Sequence, residues 1–156
     1  MSIIAAGTPA PEFSLRKGDY KRFTQGDLLG TRTVLVFYPA AFSLVCTDQF
    51  QIYEEALSEM TAQGAVMYGV SCDQPDSQSA FREKLGVSIQ QLSDFEPKGA
   101  ASRAFGAYFE RAGVSNRALV ITNAEGVVTW SWEGEHPGIL PGVNVVMDGL
   151  AASADA

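Results

Sequence analysis

The sequence predicts a three-layer α/β domain with a mixed central sheet flanked by helices, and three observations predict it. Two apolar, β-branched runs, T-R-T-V-L-V-F-Y-P at 31–39 and A-V-M-Y-G-V-S-C at 65–72, have the continuous hydrophobicity of strands buried on both faces. The stretch between them has helical period, so the three segments form a strand–helix–strand crossover whose strands run parallel. Further on, R-A-L-V-I-T (117–122) and V-V-T-W-S-W (127–132) flank N-A-E-G, an antiparallel hairpin with Gly126 at the tight position. A length of 156 residues suits one domain, 1–156, large enough to bury its own core.

In chain order, E-F-S-L and K-R-F-T are expected as short strands and Q-G-D-L-L-G as a turn or helical stub. From Ser43 to Met60 the residues Cys46, Phe50, Tyr53, Leu57 and Met60 recur at steps of four, three, four and three, one stripe of an amphipathic helix. Gly64 stands where a C-terminal cap belongs. After the second buried strand, D-Q-P-D-S is a turn and Gln78 to Leu85 a short helix. A final helix spans Val143 to Ala152, and the chain shows no linker, internal repeat or low-complexity tract.

Composition excludes several functions. Eighteen acidic against eleven basic side chains give a net charge of -7, which argues against nucleic acid or an anionic membrane surface as partner. No apolar run approaches the roughly 20 residues that cross a bilayer, and no Lys/Arg-led apolar segment suggests export, so a cytoplasmic location is expected. Two cysteines, Cys46 and Cys72, lack C-x-x-C spacing, and His136 is the one histidine; together they make neither a disulfide scaffold nor a zinc site. No metal or cofactor is expected, which leaves thiol chemistry or plain packing.

Position favours chemistry for Cys46. In P-A-A-F-S-L-V-C it follows a buried strand and falls in the first turn of the next helix. There the leading N–H groups lack intrahelical partners and the peptide dipoles add about half a positive charge, so the thiolate is favoured over the thiol. Ser43 can cap the helix, or offer its hydroxyl to an oxygen held over the sulfur. Pro39 ends the strand and removes one competing N–H. Taken singly, a cysteine on an apolar stripe is more often a packing residue.

The whole constellation decides otherwise. P-A-A-F-S-L-V-C fits P-x-x-x-(T/S)-x-x-C after a buried strand and resembles the active-site motif of the peroxiredoxins. The resemblance extends to G-T-P-A-P-E-F-S-L near the start, G-V-S-C-D-Q-P-D-S-Q-S-A-F after the second strand and S-N-R-A-L-V-I-T, which supplies an arginine. Within the family, F-Y-P-A-A-F-S-L-V-C-T is similar to the one-cysteine alkyl hydroperoxide reductase (AhpE-like) subgroup. The resemblance implies a thioredoxin-like fold and a thiol-dependent peroxidase. It makes Cys46 the peroxidatic cysteine, Pro39 its shield, Ser43 the hydroxyl that orients peroxide, and Arg117 the cation that holds thiolate and peroxide oxygen. It also implies a homodimer, a hydroperoxide substrate and an external thiol reductant, either a thioredoxin-, glutaredoxin- or mycoredoxin-like protein or a low-molecular-weight thiol.

Two positions depart from the family pattern: Ser43 where many members have threonine, and Gln49 where many carry a glutamate that pairs with the arginine. Cys72 is expected to be a packed thiol at the end of its strand; resolution of an oxidised Cys46 by Cys72 is the minority alternative. His136 is expected in a solvated turn, Trp130 and Trp132 in packing or a subunit contact, and the aromatic residues from Phe105 to Phe109 in apolar contacts near the site. The rival functional class is a peroxide-sensing or interaction module that does not turn over. A thiol–disulfide oxidoreductase is disfavoured by the missing C-x-x-C.

Overall fold

Strand β3 (Arg32–Phe37) shows how the sheet is built: Val34 and Val36 face one layer, Leu35 and Phe37 the other, and all four are fully buried. The structure is a computed structural model describing residues 2–154. Before β3 come β1 (Ser14–Arg16), β2 (Arg22–Thr24) and a 3₁₀ turn at Gln25–Leu28. After it follow helices α1 (Leu44–Glu55) and α2 (Leu57–Ala62), strand β4 (Ala65–Ser71), helix α3 (Pro75–Leu85) and strand β5 (Gln90–Ser93). A short helix α4 (Ala100–Ala104) and a small hairpin of β6 (Tyr108–Phe109) and β7 (Val114–Ser115) precede β8 (Ala118–Thr122), β9 (Val128–Glu133) and helix α5 (Val143–Ala152).

Seven strands form one sheet in the order β2-β1-β5-β4-β3-β8-β9. β3, β4 and β5 pair parallel, while β1 on β5, β8 on β3 and β9 on β8 pair antiparallel, so the sheet is mixed. One face carries α1, α2, α3 and α5 over a core that includes Val34, Val36, Cys46, Phe50, Tyr53, Met60, Met67, Phe81, Leu119, Val146 and Leu150. The other face is covered by the N-terminal segment and α4, through Phe13, Leu15, Phe23, Leu28, Ala101 and Phe105. Burying one large side chain such as Phe50 contributes about 1.5–3 kcal/mol, so each face has ample driving force. Gly69 lets α1 sit close to β4, since a Cβ there would stand 2.8 Å from the Phe50 ring.

Three differences from the expected elements have physical causes. The helix expected from Ser43 to Met60 is two helices, because at Ala56 (φ -96°, ψ 2°) the N–H turns to Tyr53 O three residues back, at 3.1 Å. Leu57 and Met60 nonetheless pack on the same core, so the stripe survives the break. Helix α3 starts at Pro75, earlier than Gln78, because proline is suited to the first helical position, where its missing N–H costs nothing. Strand β5 reads Q-Q-L-S and carries little apolar periodicity, yet it fills the slot between β4 and β1.

Candidate active site

The loop joining β3 to α1 is fixed from both ends. Tyr38 N–H donates to Val70 O at 2.9 Å, which ties the end of β3 to β4. Half-buried Pro39 follows, and Ala41 N–H then donates to Asp73 Oδ2 at 2.8 Å. That carboxylate also accepts from Ser71 Oγ at 2.6 Å. Phe42 takes a left-handed backbone (φ +67°), unfavourable for a bulky residue, and its ring meets Phe81 edge-on at 5.4 Å. Ser43 closes the loop as the N-cap of α1, its Oγ accepting from Cys46 N–H at 3.3 Å.

Cys46 lies in the first turn of α1 and is fully buried. The amides of Leu44 and Val45, the first two of the helix, have no intrahelical acceptor and leave positive potential beside the sulfur. Arg117 arrives from the residue preceding β8, at the end of the sheet where β3 stops, since Ala118 pairs with Phe37. Its Nη2 donates to Cys46 Sγ at 3.1 Å, its Nη1 to Gln49 Oε1 at 2.6 Å and its Nε to Pro137 O at 2.6 Å. Asn116 Oδ1 accepts from Arg117 N–H at 2.9 Å and fixes the backbone from which the side chain departs.

A further layer orders these groups. Gln49 Nε2 donates to Tyr53 Oη at 3.2 Å, and Tyr53 Oη donates to Pro141 O at 2.6 Å. Burial pushes the Tyr53 hydroxyl up to about 12, so it stays a proton donor throughout the neutral range. The structure therefore brings Cys46, Ser43, Arg117 and Gln49 together. Pro39 stands in the same loop, without an N–H to give. Asp73, the Tyr53 hydroxyl and the carbonyls of Pro137 and Pro141 join the site without having been singled out in the sequence. One signal pointed to Asp73: it stands two residues past the end of β4, at the carboxyl edge where ligands of α/β sheets gather.

A model described as the AhpC/TSA family matches residues 6–131. The chain belongs to this family, the peroxiredoxins. It is 29% identical over 151 residues to alkyl hydroperoxide reductase E of Mycobacterium tuberculosis, covering 96% of this chain and 98% of the relative. Among solved structures, AhpC of Enterococcus faecalis superposes with a TM-score of 0.86 at 26% identity, covering 98% of this chain and 93% of that one. Peroxiredoxin Q of Xanthomonas campestris gives 0.79 at 25% identity, covering 92% of each chain. The peroxiredoxin fold is thus the thioredoxin-like arrangement of a mixed sheet flanked by helices, and the chain is an enzyme of the peroxiredoxin class.

Other residues of this peroxiredoxin fall into place around the site. Cys72 Sγ lies 3.6 Å from Ser115 Oγ, which in turn shares a 2.6 Å hydrogen bond with Ser102 Oγ on α4. It therefore sits on the α4 face of the sheet, whereas Cys46 belongs to the core under α1. Burial raises the Cys72 thiol above its ordinary range. The aromatic residues expected near the site are displaced: Phe105 packs into the core of the opposite face with Phe13 and Phe37, because α4 covers that layer. Trp130 and Trp132 pack against the core that contains Cys46. His136 is exposed in a turn, its Nδ1 accepting from Gly138 N–H at 3.1 Å. Among the described residues no group of three His, Cys, Asp or Glu side chains is arranged to hold a metal, and no helix is long and apolar enough to cross a membrane.

Proposed function

We propose that this peroxiredoxin reduces hydrogen peroxide and organic hydroperoxides at Cys46 in a one-cysteine cycle completed by an external thiol. The observation that carries this reading is the Arg117 guanidinium donating to a buried sulfur, at 3.1 Å, in the first turn of α1. A thiolate there is held by a cation that cannot lose its charge and by unpaired amides.

In the first step a sulfur lone pair of Cys46 attacks the terminal oxygen of R–O–OH and the O–O bond breaks. The alkoxide leaves with the bonding pair and takes up a proton, while the terminal oxygen remains on sulfur as sulfenic acid. Negative charge develops on the departing oxygen, so donors already aimed into the site lower the barrier. Arg117 supplies such donors. Ser43 receives the Cys46 amide on a lone pair, which leaves its hydroxyl proton to orient the peroxide. Pro39 shields the sulfur and offers no competing donor.

An outside thiol then displaces water from the sulfenic acid to give a mixed disulfide. A second thiol attacks that disulfide, returning Cys46 and releasing the oxidised reductant. The position of Cys72 on the opposite face supports external reduction, because bridging requires Cα atoms within about 7 Å and side chains that point together. A thioredoxin-, glutaredoxin- or mycoredoxin-like protein, or a small thiol, fits that role. Two unpaired thiols suit a reducing cytoplasm. Leu44 (80% exposed) and Phe42 (54%), apolar and beside the site, support work as a homodimer.

Stopped-flow tryptophan fluorescence with hydrogen peroxide and an organic hydroperoxide tests the reading, because Trp130 and Trp132 pack on the core that holds Cys46. Reaction far faster than that of free cysteine, lost in Cys46→Ser, is expected. A rate no greater than that of free cysteine with both oxidants sinks the proposal. Rapid oxidation without turnover in the presence of any of these reductants would favour the sensing module instead.

A further inference from the structure

Two long stretches of the chain carry neither lysine nor arginine: residues 33–81 hold six acidic side chains and residues 118–156 hold five. These stretches supply α1, α2 and α5, which cover the sheet on the face that holds Cys46. The cations that border this layer are engaged elsewhere. Arg32 Nη2 donates to Leu150 O and Ser153 Oγ, and Arg82 Nη2 to Ser88 O. Lys84 lies at the end of α3 that leads into β5, the sheet edge remote from Cys46. Arg111, on the loop between β6 and β7, stands among Glu110, Glu133 and Glu135. Arg117 is buried against the sulfur.

The outward stripe of α1 joins this charge to an apolar contact. Cys46, Gln49, Phe50 and Tyr53 are buried, which leaves Asp48, Ile52 and Glu55, spaced four and three residues apart, in solvent. Ile52 keeps 41% of its surface exposed between the two carboxylates. An apolar centre inside a polar rim is how protein interfaces are built, and the sign of the rim selects the partner. A second copy set stripe against stripe would face acid with acid, which opposes association. A protein with lysine and arginine around an apolar centre answers both features.

We infer that the solvent face of α1 is the docking surface for a dithiol protein whose reactive cysteine is surrounded by lysine and arginine, an inference that rests on an external thiol recycling Cys46. Asp48 stands two residues from Cys46, so a partner seated on the stripe holds its thiol at the first turn of the helix. There its thiolate attacks the sulfenic sulfur and expels hydroxide, which leaves as water with the thiol proton. The partner's second thiol then attacks the mixed disulfide, freeing Cys46 and leaving the partner as a disulfide. The carboxylates speed the encounter and are screened by salt.

The test follows reduction of the sulfenic acid in the full chain by stopped-flow tryptophan fluorescence, after one equivalent of hydrogen peroxide. The probes are two synthetic dithiol peptides that differ only in carrying lysines or glutamates beside the same two cysteines. At low salt the lysine peptide is expected to react ~10-fold faster than the glutamate peptide, and the gap to close at about 0.5 M salt. In the double variant Asp48→Lys, Glu55→Lys the preference is expected to invert while the peroxide step stays unchanged. Equal rates for the two peptides at low salt, or a preference that survives the charge reversal, overturn the inference. So does 2-mercaptoethanol outrunning the lysine peptide at equal thiol concentration, which would assign recycling to a small thiol. Should the reversed variant fail to fold, Asp48→Asn with Glu55→Gln decides: a gap narrowed ~3-fold or more supports the inference, and a gap of wild-type size overturns it. Salt-sensitive binding of the lysine peptide alone to a wild-type protein that proves inert to peroxide would sink the peroxidase reading and leave the docking face standing.

Discussion

Removing the guanidinium is the sharpest test of the site. In Arg117→Ala the sulfur loses a cation whose Nη2 stands 3.1 Å away in a buried pocket. With the charge centre near 4 Å and an effective dielectric of about 20, the direct attraction is about 4 kcal/mol. A hydrogen bond to a charged group is worth about 1.5–3 kcal/mol net. Water admitted to the vacated space offsets part of the loss, so about 2–3 kcal/mol should appear in the barrier. That corresponds to a peroxide rate constant lowered ~30- to 150-fold. The same change strands Gln49 Oε1 and Pro137 O, both 2.6 Å from their donors, each at a cost of about 1–3 kcal/mol in stability. The assay is stopped-flow tryptophan fluorescence under excess peroxide, with circular dichroism to confirm the fold. A folded Arg117→Ala protein reacting within ~3-fold of wild type would refute the electrostatic account, because ~3-fold is less than 1 kcal/mol of barrier.

Three other perturbations have defined outcomes. Burial raises the folded-state pKa of Cys72, so its contribution to stability is complete below the unfolded thiol value and is lost as pH rises through the folded one. Urea melts at pH 7 and pH 10 should therefore show a smaller alkaline loss in Cys72→Ala than in wild type, with peroxide turnover unchanged; a stoichiometric Cys46–Cys72 bridge on peptide mapping after peroxide would contradict this. Tyr53→Phe removes the group that anchors Gln49 on Pro141 O and should lower stability by about 1–2 kcal/mol in urea denaturation, together with a several-fold slower peroxide step. Asp73→Ala frees Ala41 N–H and Ser71 Oγ, at about 1–3 kcal/mol, and should slow peroxide reaction by loosening the loop that sets Ser43; an unaltered rate would show that the loop holds without this carboxylate.

What could be read in the sequence follows from where the information is stored. β3, β4, the β8–β9 hairpin and α5 announce themselves through runs of apolar side chains, and their bounds fall within a residue or two of the expected ones. β5 does not, because half of its residues are buried polar groups: Gln91 Nε2 donates to Ile89 O and Ser93 Oγ to Asp73 O, contacts that no local pattern encodes. Phe105, expected in apolar contacts near the site, packs on the opposite face, since periodicity tells which side chains are buried but not which face of a sheet they cover. At the site, Cys46 and Ser43 were legible because helix capping is local, and Arg117 only through its surrounding motif. Pro137 and Pro141 contribute backbone carbonyls, which every residue possesses and no sequence distinguishes.

None of the surface of Cys46 reaches solvent, and this divides its visitors by bulk. A hydroperoxide presents its reacting atom at the tip of a slim molecule that brief breathing of side chains can admit. Were the reductant a protein dithiol, which carries its sulfur on a broad scaffold, the opening turn of α1 would have to peel away from the sheet to meet it. Phe42, held at φ +67°, relaxes when that happens. The tempo of the proposed recycling by such a protein would then belong to the hinge ahead of the helix, and swapping Phe42 for glycine should slow the delivery of electrons while sparing the capture of peroxide.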